Sequence, residues 1–366
     1  MNLRWHFTVL SLEEKLLAMI NLYGQEIHKL ETLLIDRGQK KYRATQLFTW
    51  IYEKKASSFD EMSDISKSFR DELNRDFCLT LPSLYKKQEA KDGTIKLLLE
   101  LEDGNKIETA LMPYRYGNAI CVSSQVGCNM ACAFCASGLL KKNRNLEVHE
   151  MVGQVIVMNK LLEEKGEHVT HIVVMGTGEP FDNYSNVMDF IRIVNHPKAL
   201  AIGARHISVS TCGIVPGIRK YANEGLQTNL AISLHAPNDE IRNQIMPISK
   251  GYKMDELMDA VKYYEKTAGR RVTFEYIMLK NINDSLDCAK ELVKLIKGTL
   301  AYVNLIPYNP VDEKPYKRSD DKTVHEFFSY LMKHGVNTTV RKEFGNDIDA
   351  ACGQLRAKDQ HEKQNN

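Results

Sequence analysis

No apolar run in the 366 residues approaches the ~18 that a membrane-spanning helix needs, which excludes a helical integral membrane protein. Charge of one sign is missing too: 49 Lys and Arg stand against 47 Asp and Glu, a formal net charge of +2. Proteins that hold nucleic acid by bulk charge are far more basic, so any RNA contact must come from a local patch. With 21 glycines and 10 prolines the chain is neither collagen-like nor low-complexity. Met1–Leu10 carries Arg4 and His6 and soon reaches Glu13 and Glu14, without a long apolar region or a small-residue cleavage site. It does not read as a signal peptide, and a cytoplasmic location without a membrane partner is expected. What remains is an ordinary globular balance, 43% hydrophobic and 26% charged, long enough for two or three units or one α/β barrel with accessories.

Cysteine is scarce but concentrated. Of eight, Cys121, Cys128, Cys132 and Cys135 fall within fifteen residues, while Cys78, Cys212, Cys288 and Cys352 stand apart. In a cytosolic chain such a cluster suggests metal or redox chemistry more than structural disulfides. Structural zinc wants four closed ligands, usually as two Cys pairs, and the second pair is missing here. Three thiolates on a short C-x3-C-x2-C loop can instead hold three irons of a four-iron cube and leave the fourth open. An open iron can chelate the amino and carboxylate groups of S-adenosylmethionine. With Phe134 before the last Cys, the loop resembles the radical S-adenosylmethionine signature.

Residues 1–85 read as helical, with apolar residues at helical spacing over Leu12–Gly38, Tyr42–Lys54 and Ser58–Phe69. Gly93–Pro113 switches to period two and predicts a hairpin turning at Asp103-Gly104-Asn105. From about residue 119, strand and helix alternate. Strands are expected at Ala119–Ser123, Val169–Met175, His206–Ser210, Thr228–Ser233, Val272–Ile277 and Ala301–Ile306. Helices are expected at Glu147–Leu162, Tyr184–Val194, Met254–Lys266 and Leu286–Lys297, with a last helix Thr323–His334 and strand Val336–Val340. The fold class is α/β, a partial (β/α)6 barrel preceded by a helical domain and a β-hairpin extension. The expected units are an N-terminal helical RNA-binding accessory domain (1–85), a hairpin extension (86–118), the barrel (119–345) and a C-terminal tail (346–366). Chemistry in such folds sits after the C-terminal ends of strands, and polar, Gly-rich segments follow five of the six.

The cysteine loop, Gly176-Thr-Gly-Glu-Pro180, Val209-Ser-Thr-Cys-Gly213, Ser233-Leu-His235, Asn304–Pro310 and Phe344–Leu355 together resemble the RlmN/Cfr family of radical S-adenosylmethionine adenine methyltransferases. The likeness runs from about Leu30 to Leu355. It implies that Cys128, Cys132 and Cys135 ligate a [4Fe-4S] cluster. Gly178, Glu179, Ser210, Ser233, Leu234, His235 and Asn309 match residues that bind S-adenosylmethionine, used twice per turnover. Cys352 matches the cysteine that is itself methylated, Cys121 its resolving partner, and Glu108 the proton acceptor. Met1–Ala18 looks like an extension, with Met19 the more familiar start.

C2 of adenine lies between two ring nitrogens and is too electron-poor for polar methyl transfer. The resemblance implies a way round this. Thiolate Cys352 first takes a methyl by displacement, and a radical made from a second S-adenosylmethionine activates that methyl carbon. The carbon adds to the base, Glu108 removes the C2 proton, and Cys121 attacks the sulfur of Cys352 to release the RNA. The implied partners are 23S rRNA, tRNA and an electron donor such as flavodoxin, for a monomeric enzyme. Methylation at C8, as in the antibiotic-resistance branch, is the alternative; a non-catalytic iron–sulfur or zinc RNA-binding protein is a third reading. For RNA, Arg37–Lys55 offers six basic residues interleaved with Tyr42, Phe48, Trp50 and Tyr52. Lys141, Lys142 and Arg144 form a second candidate patch. An amphipathic helix with a solvated basic face explains the first segment as readily.

Overall fold

The computed structural model describes residues 19–139, 141–311, 313–345, 347–349, 354–356 and 359. The Met1–Ala18 extension and Cys352 lie outside the described residues.

The N-terminal part is helical, as its spacing predicts, but in shorter pieces. One long helix is expected over Leu12–Gly38; the observed one is Ile27–Asp36, which buries Ile27, Leu30 and Leu34. Asn21 Oδ1 accepts the Tyr23 N–H at 3.1 Å and turns Leu22–Gly24 into a tight 3-10 turn ahead of it. The helix Tyr42–Phe48 runs on into a wider turn, Thr49–Glu53. Ser58–Phe69 is not one helix. Phe59, Met62 and Ile65 are buried at near-helical spacing, but Glu61 accepts from the hydroxyls of Ser57 and Ser58 at 2.6 and 3.1 Å. Those local bonds compete with helical ones, leaving a 3-10 turn (Phe59–Glu61) before the helix Lys67–Asp76. Strands β1 (Ile20–Asn21) and β2 (Phe77–Cys78) pair in parallel beside it.

Strands β3 (Ser83–Glu89), β4 (Ile95–Glu100), β5 (Lys106–Tyr114) and β6 (Gly117–Cys121) form an antiparallel meander. The β4–β5 turn falls where expected: Asp103 Oδ1 accepts the Asn105 N–H at 3.0 Å, and Gly104 has φ +76°. A two-stranded ladder, β7 (Gln125–Val126) with β8 (Arg144–Asn145), brackets the cysteine loop. The parallel strands follow as β9 (Val169–Val174), β10 (Ile207–Thr211), β11 (Asn229–Ser233), β12 (Val272–Met278), β13 (Tyr302–Pro307) and β14 (Asn337–Val340). All join one ten-stranded sheet in the order β14-β13-β12-β11-β10-β9-β6-β5-β4-β3. Six strand–helix units thus end on a seventh parallel strand, and the hairpin gains a third strand and continues the same sheet. The short helices Val215–Ala222 and Asp239–Ile245 were not legible, each being about two turns long.

One cavity of about 380 Å³ is lined by residues of every strand from β4 to β13 in that order and by the segment after β14. In a flat sheet β4 and β14 would stand roughly 38 Å apart. A single small cavity can touch them all only if the sheet curls, which makes this a partial barrel. No helix among the described residues is long and apolar enough to cross a membrane.

Candidate active site

The cavity opens at the C-terminal ends of the parallel strands. Cys128, Cys132 and Cys135 line it from the loop between β7 and β8. That loop is pinned from two sides: Ile245 O accepts the Ala133 N–H at 2.8 Å, and the Tyr308 hydroxyl donates to Phe134 O at 3.4 Å. Burial pushes the Cys128 thiol up to about 11 and the Cys132 thiol higher still. Such thiols give up their protons when a metal centre binds. Among the described residues no three His, Cys, Asp or Glu side chains converge on a single ion. Cys132 feels the charge of both Cys128 and Cys135, so the three thiols stand together on the cavity wall, and three such thiolates suit three corners of a four-iron cube.

Gly176 and Gly178 follow β9 and pack against the segment after β6. A Cβ on Gly176 would lie 2.7 Å from Ser123 N, and one on Gly178, at φ +115°, 2.7 Å from Ser124 Oγ. Only glycine lets these backbones approach so closely. Ser123 stitches them together: its Oγ donates to Glu108 O at 2.6 Å and accepts the Thr177 N–H at 3.0 Å. Glu179 is buried and accepts from the backbone N–H groups of Phe181 (2.9 Å) and Cys212 (2.7 Å). Burial raises its pKa, and those two donors oppose the rise.

Ser210, Ser233, His235 and Asn309 line the cavity at or just beyond the ends of β10, β11 and β13. His235 has φ +57°, and its Nδ1 accepts the Ile277 N–H at 3.0 Å. Burial, aided by Arg242, pushes its pKa down to about 3, so the ring is neutral with its proton on Nε2. Leu234 differs from the rest: its side chain is in the hydrophobic core and does not line the cavity.

Cys121 ends β6 directly opposite Ala110 of β5. Glu108 is two residues from Ala110 along β5, so the two side chains are diagonal neighbours on one face, and both line the cavity. A carboxylate on a hairpin is usually solvated; this one is buried. Its Oε2 pairs with Lys96 Nζ at 2.9 Å and its Oε1 accepts the Arg356 N–H at 2.6 Å. The next pair along, Lys106 with Asp359 at 2.9 Å, is buried as well.

The basic segments divide. Phe48 and Tyr52 are core anchors, whereas Tyr42 is 54% exposed beside Arg43. Lys41 pairs with Glu31 at 3.2 Å and Lys54 lies over the Trp50 ring at 3.6 Å. In the second patch Arg144 is clamped between Glu150 (2.7 Å) and Asp103 (2.7 Å), and Lys142 holds Asp182 at 2.8 Å. Replacing Lys40 and Lys41 by Ala should therefore weaken RNA binding and lower its salt slope by about one unit per lost phosphate contact. Arg144→Ala should lower thermal stability and leave that slope unchanged. Affinity measured across a salt series, with thermal unfolding alongside, checks both; an unchanged slope in the lysine variant makes that face purely structural.

Lys96, Arg242 and Glu275 were missed in the sequence. Lys96 carried a faint signal, a lone charge inside the apolar run Ile95–Leu99. Glu275 lines the cavity and accepts from Asn304 Nδ2 at 2.8 Å; burial raises its pKa against the pull of Arg341. Arg242 looks in sequence like any surface helix charge.

Residues 20–79 match the family model described as the ribosomal RNA large subunit methyltransferase N-terminal domain, and residues 122–296 match the radical SAM superfamily. A probable dual-specificity RNA methyltransferase RlmN of Spiroplasma citri is 54% identical over 342 residues, covering 93% of this chain and 99% of its own. Its namesake in Lysinibacillus sphaericus is 51% identical over 94% of this chain and 90% of its own. In structure, a radical SAM methyltransferase from Sphaerobacter thermophilus matches with a TM-score of 0.86 at 42% identity, over 92% of this chain and 98% of that one.

Proposed function

Since the chain belongs to the RlmN family of radical S-adenosylmethionine dual-specificity RNA methyltransferases, we propose that it methylates C2 of an adenosine in 23S rRNA and of an adenosine beside the tRNA anticodon. The observation that carries this reading is the pairing of Glu108 and Cys121 on one face of β5 and β6, on the same cavity as the three-thiol loop. Binding alone needs neither a buried carboxylate nor a further thiol there, so the non-catalytic reading leaves both unexplained.

In this reading Cys128, Cys132 and Cys135 hold a [4Fe-4S] cluster. The cluster, when bound, supplies the electron that cleaves S-adenosylmethionine to a carbon radical. The glycines of Gly176–Pro180 bring backbone close to the cofactor. Glu179, fixed by two N–H donors, offers a carboxylate for its amino group. Ser210, Ser233, His235 and Asn309 supply further polar contacts from neighbouring strand ends, and neutral His235 does so without adding charge. Leu234 contributes packing and backbone rather than a side-chain contact. Cys352, as thiolate, accepts the first methyl group by displacement. Glu108 takes the proton lost from the base; Lys96 and the Arg356 N–H hold its two oxygens in orientation. Cys121 then attacks the sulfur of Cys352, and the disulfide left behind must be reduced before another round. In this reading residues 1–85 serve as an RNA-binding accessory domain, and 86–118 are the sheet extension bearing Glu108, which lines the cavity. A low-potential donor such as flavodoxin serves the cluster of a cytoplasmic, monomeric enzyme.

Mass spectrometry after anaerobic reaction with ribosomal RNA and tRNA tests this directly. The expected product is 2-methyladenosine in both. Methyl at C8 would transfer the protein to the resistance-type chemistry, and methyl in ribosomal RNA alone would remove tRNA from the reading.

A further inference from the structure

Arg242, on the helix Asp239–Ile245, is completely buried. Its Nη2 donates to the carbonyls of Cys212 (2.6 Å) and Ser233 (3.4 Å), and its Nε to that of Leu234 (3.2 Å). All three acceptors are neutral. Its Nη1 is buried with no hydrogen-bond partner among the described residues. A guanidinium does not lose its proton in proteins, so the fold keeps a cation in its interior with no carboxylate paired to it among the described residues. Desolvating a charge in this way is costly unless an opposite charge compensates it. A buried donor left unpaired on a fixed cation calls for a functional account.

The surroundings supply one. One turn on, Ile245 O accepts the Ala133 N–H at 2.8 Å, between Cys132 and Cys135. Ile245, Met246 and Cys212 form a small apolar cluster on which Cys132 and Phe134 rest, and Met246 and Cys212 also line the cavity. Cys212, whose carbonyl holds Nη2, belongs to the same small apolar cluster on which Cys132 packs, which puts the guanidinium beside the cysteine loop. Gly213 leaves the fork its space, since a Cβ there would lie 3.0 Å from Nη2. The cation therefore sits at the ends of β10 and β11, beside the cluster on which the cysteine loop packs.

We propose that Arg242 is the fixed counter-cation of the iron–sulfur site and that its charge raises the one-electron reduction potential of the cluster. The inference rests on the cluster reading given above. Three thiolates around a four-iron cube make the site net negative, and the electron delivered by a low-potential one-electron donor makes it more so. A nearby positive charge in a low-dielectric interior favours the more negative state. No proton moves in this step. Arg242 acts as a positioning residue that touches neither RNA nor the reacting carbon.

The test uses reconstituted full-length protein and the Arg242→Met and Arg242→Lys variants. Each is titrated with dithionite and redox mediators while the reduced cluster is followed by electron paramagnetic resonance. At fixed ambient potential the ratio of reduced to oxidised cluster should fall about tenfold in Arg242→Met, equal to about 59 mV for one electron. Arg242→Lys keeps the charge and should stay near wild type. If Arg242→Met does not fold, Arg242→Gln, which retains a donor for the Cys212 carbonyl, makes the same comparison. Cluster-loaded neutral variants with wild-type potential would overturn the proposal, as would equal shifts in Lys and Met, which would assign the effect to geometry. A wild-type protein that takes up no iron or sulfide would instead overturn the cluster reading and this inference with it.

Discussion

A Cys121→Ala protein incubated anaerobically with S-adenosylmethionine, reductant and RNA should accumulate a covalent protein–RNA species that survives denaturation. In the proposed mechanism, removing this thiol leaves the methyl acceptor and the radical chemistry in place and takes away the group that frees the product. The substitution is mild in structural terms. Cys121 is a small buried residue at the end of β6, and its backbone carbonyl keeps the Thr109 hydroxyl bond at 2.8 Å. Cys352→Ala should fail earlier, with neither protein methylation nor an RNA adduct, while its cluster still assembles. Gel shift under denaturing conditions, with peptide mapping of the crosslink to Cys352, separates the two. A crosslink in Cys352→Ala would reverse the roles. A well-folded Cys121→Ala that cleaves cofactor and forms no crosslink would remove them. General structural damage would lower solubility and iron content in both variants alike.

The second large effect belongs to the cysteine loop. Wild-type protein reconstituted without oxygen should hold about four irons per chain, and Ala at Cys128, Cys132 or Cys135 should reduce cofactor cleavage to background. The fold should survive, because all three are partly exposed on the cavity wall and none anchors the main core. Cys288→Ala is the contrasting control. That thiol is buried on the helix Leu286–Leu295, and its loss should cost about 1 kcal/mol of stability while leaving iron content unchanged. Iron and sulfide assays, cofactor cleavage and thermal unfolding on the wild type and the four variants check this set. Full cluster and full turnover in any loop variant would end its assignment as a ligand.

The barrel was the most legible part of the sequence. Val169–Val174, Val272–Met278 and Tyr302–Pro307 lie within a residue or so of their expected positions, because buried parallel strands leave short apolar runs bounded by turn residues. The N-terminal helices were less so: Phe59, Met62 and Ile65 recur at a spacing that a helix and a buried coil share. At the site, glycine and cysteine could be read because backbone approach and metal ligation restrict residue type. The environment of Glu108 could not. Its burial depends on Lys96 across the sheet and on Arg356, 248 residues further along the chain, a relation no local pattern encodes. Arg242 is hidden for a related reason, since a charged residue on a short helix looks the same whether it faces water or a cavity.

The hairpin strands also receive the end of the chain. Gly345 N–H donates to Asp92 at 2.9 Å, Asp349 accepts from Gln88 at 3.0 Å, and Arg356 and Asp359 close on Glu108 and Lys106. These contacts join residues 248 to 261 apart in sequence, whereas β3 to β6 pair with their immediate neighbours. During synthesis the meander and the barrel strands are available long before the tail leaves the ribosome. Closing so long a loop is among the slowest steps a chain of this topology takes. Folding therefore imposes an order of assembly: the cysteine loop and its surrounding wall are formed first, and the segments on either side of Cys352 dock last. In the proposed mechanism, a nascent or truncated chain would have the machinery for making a radical before it had the thiol that receives the methyl group.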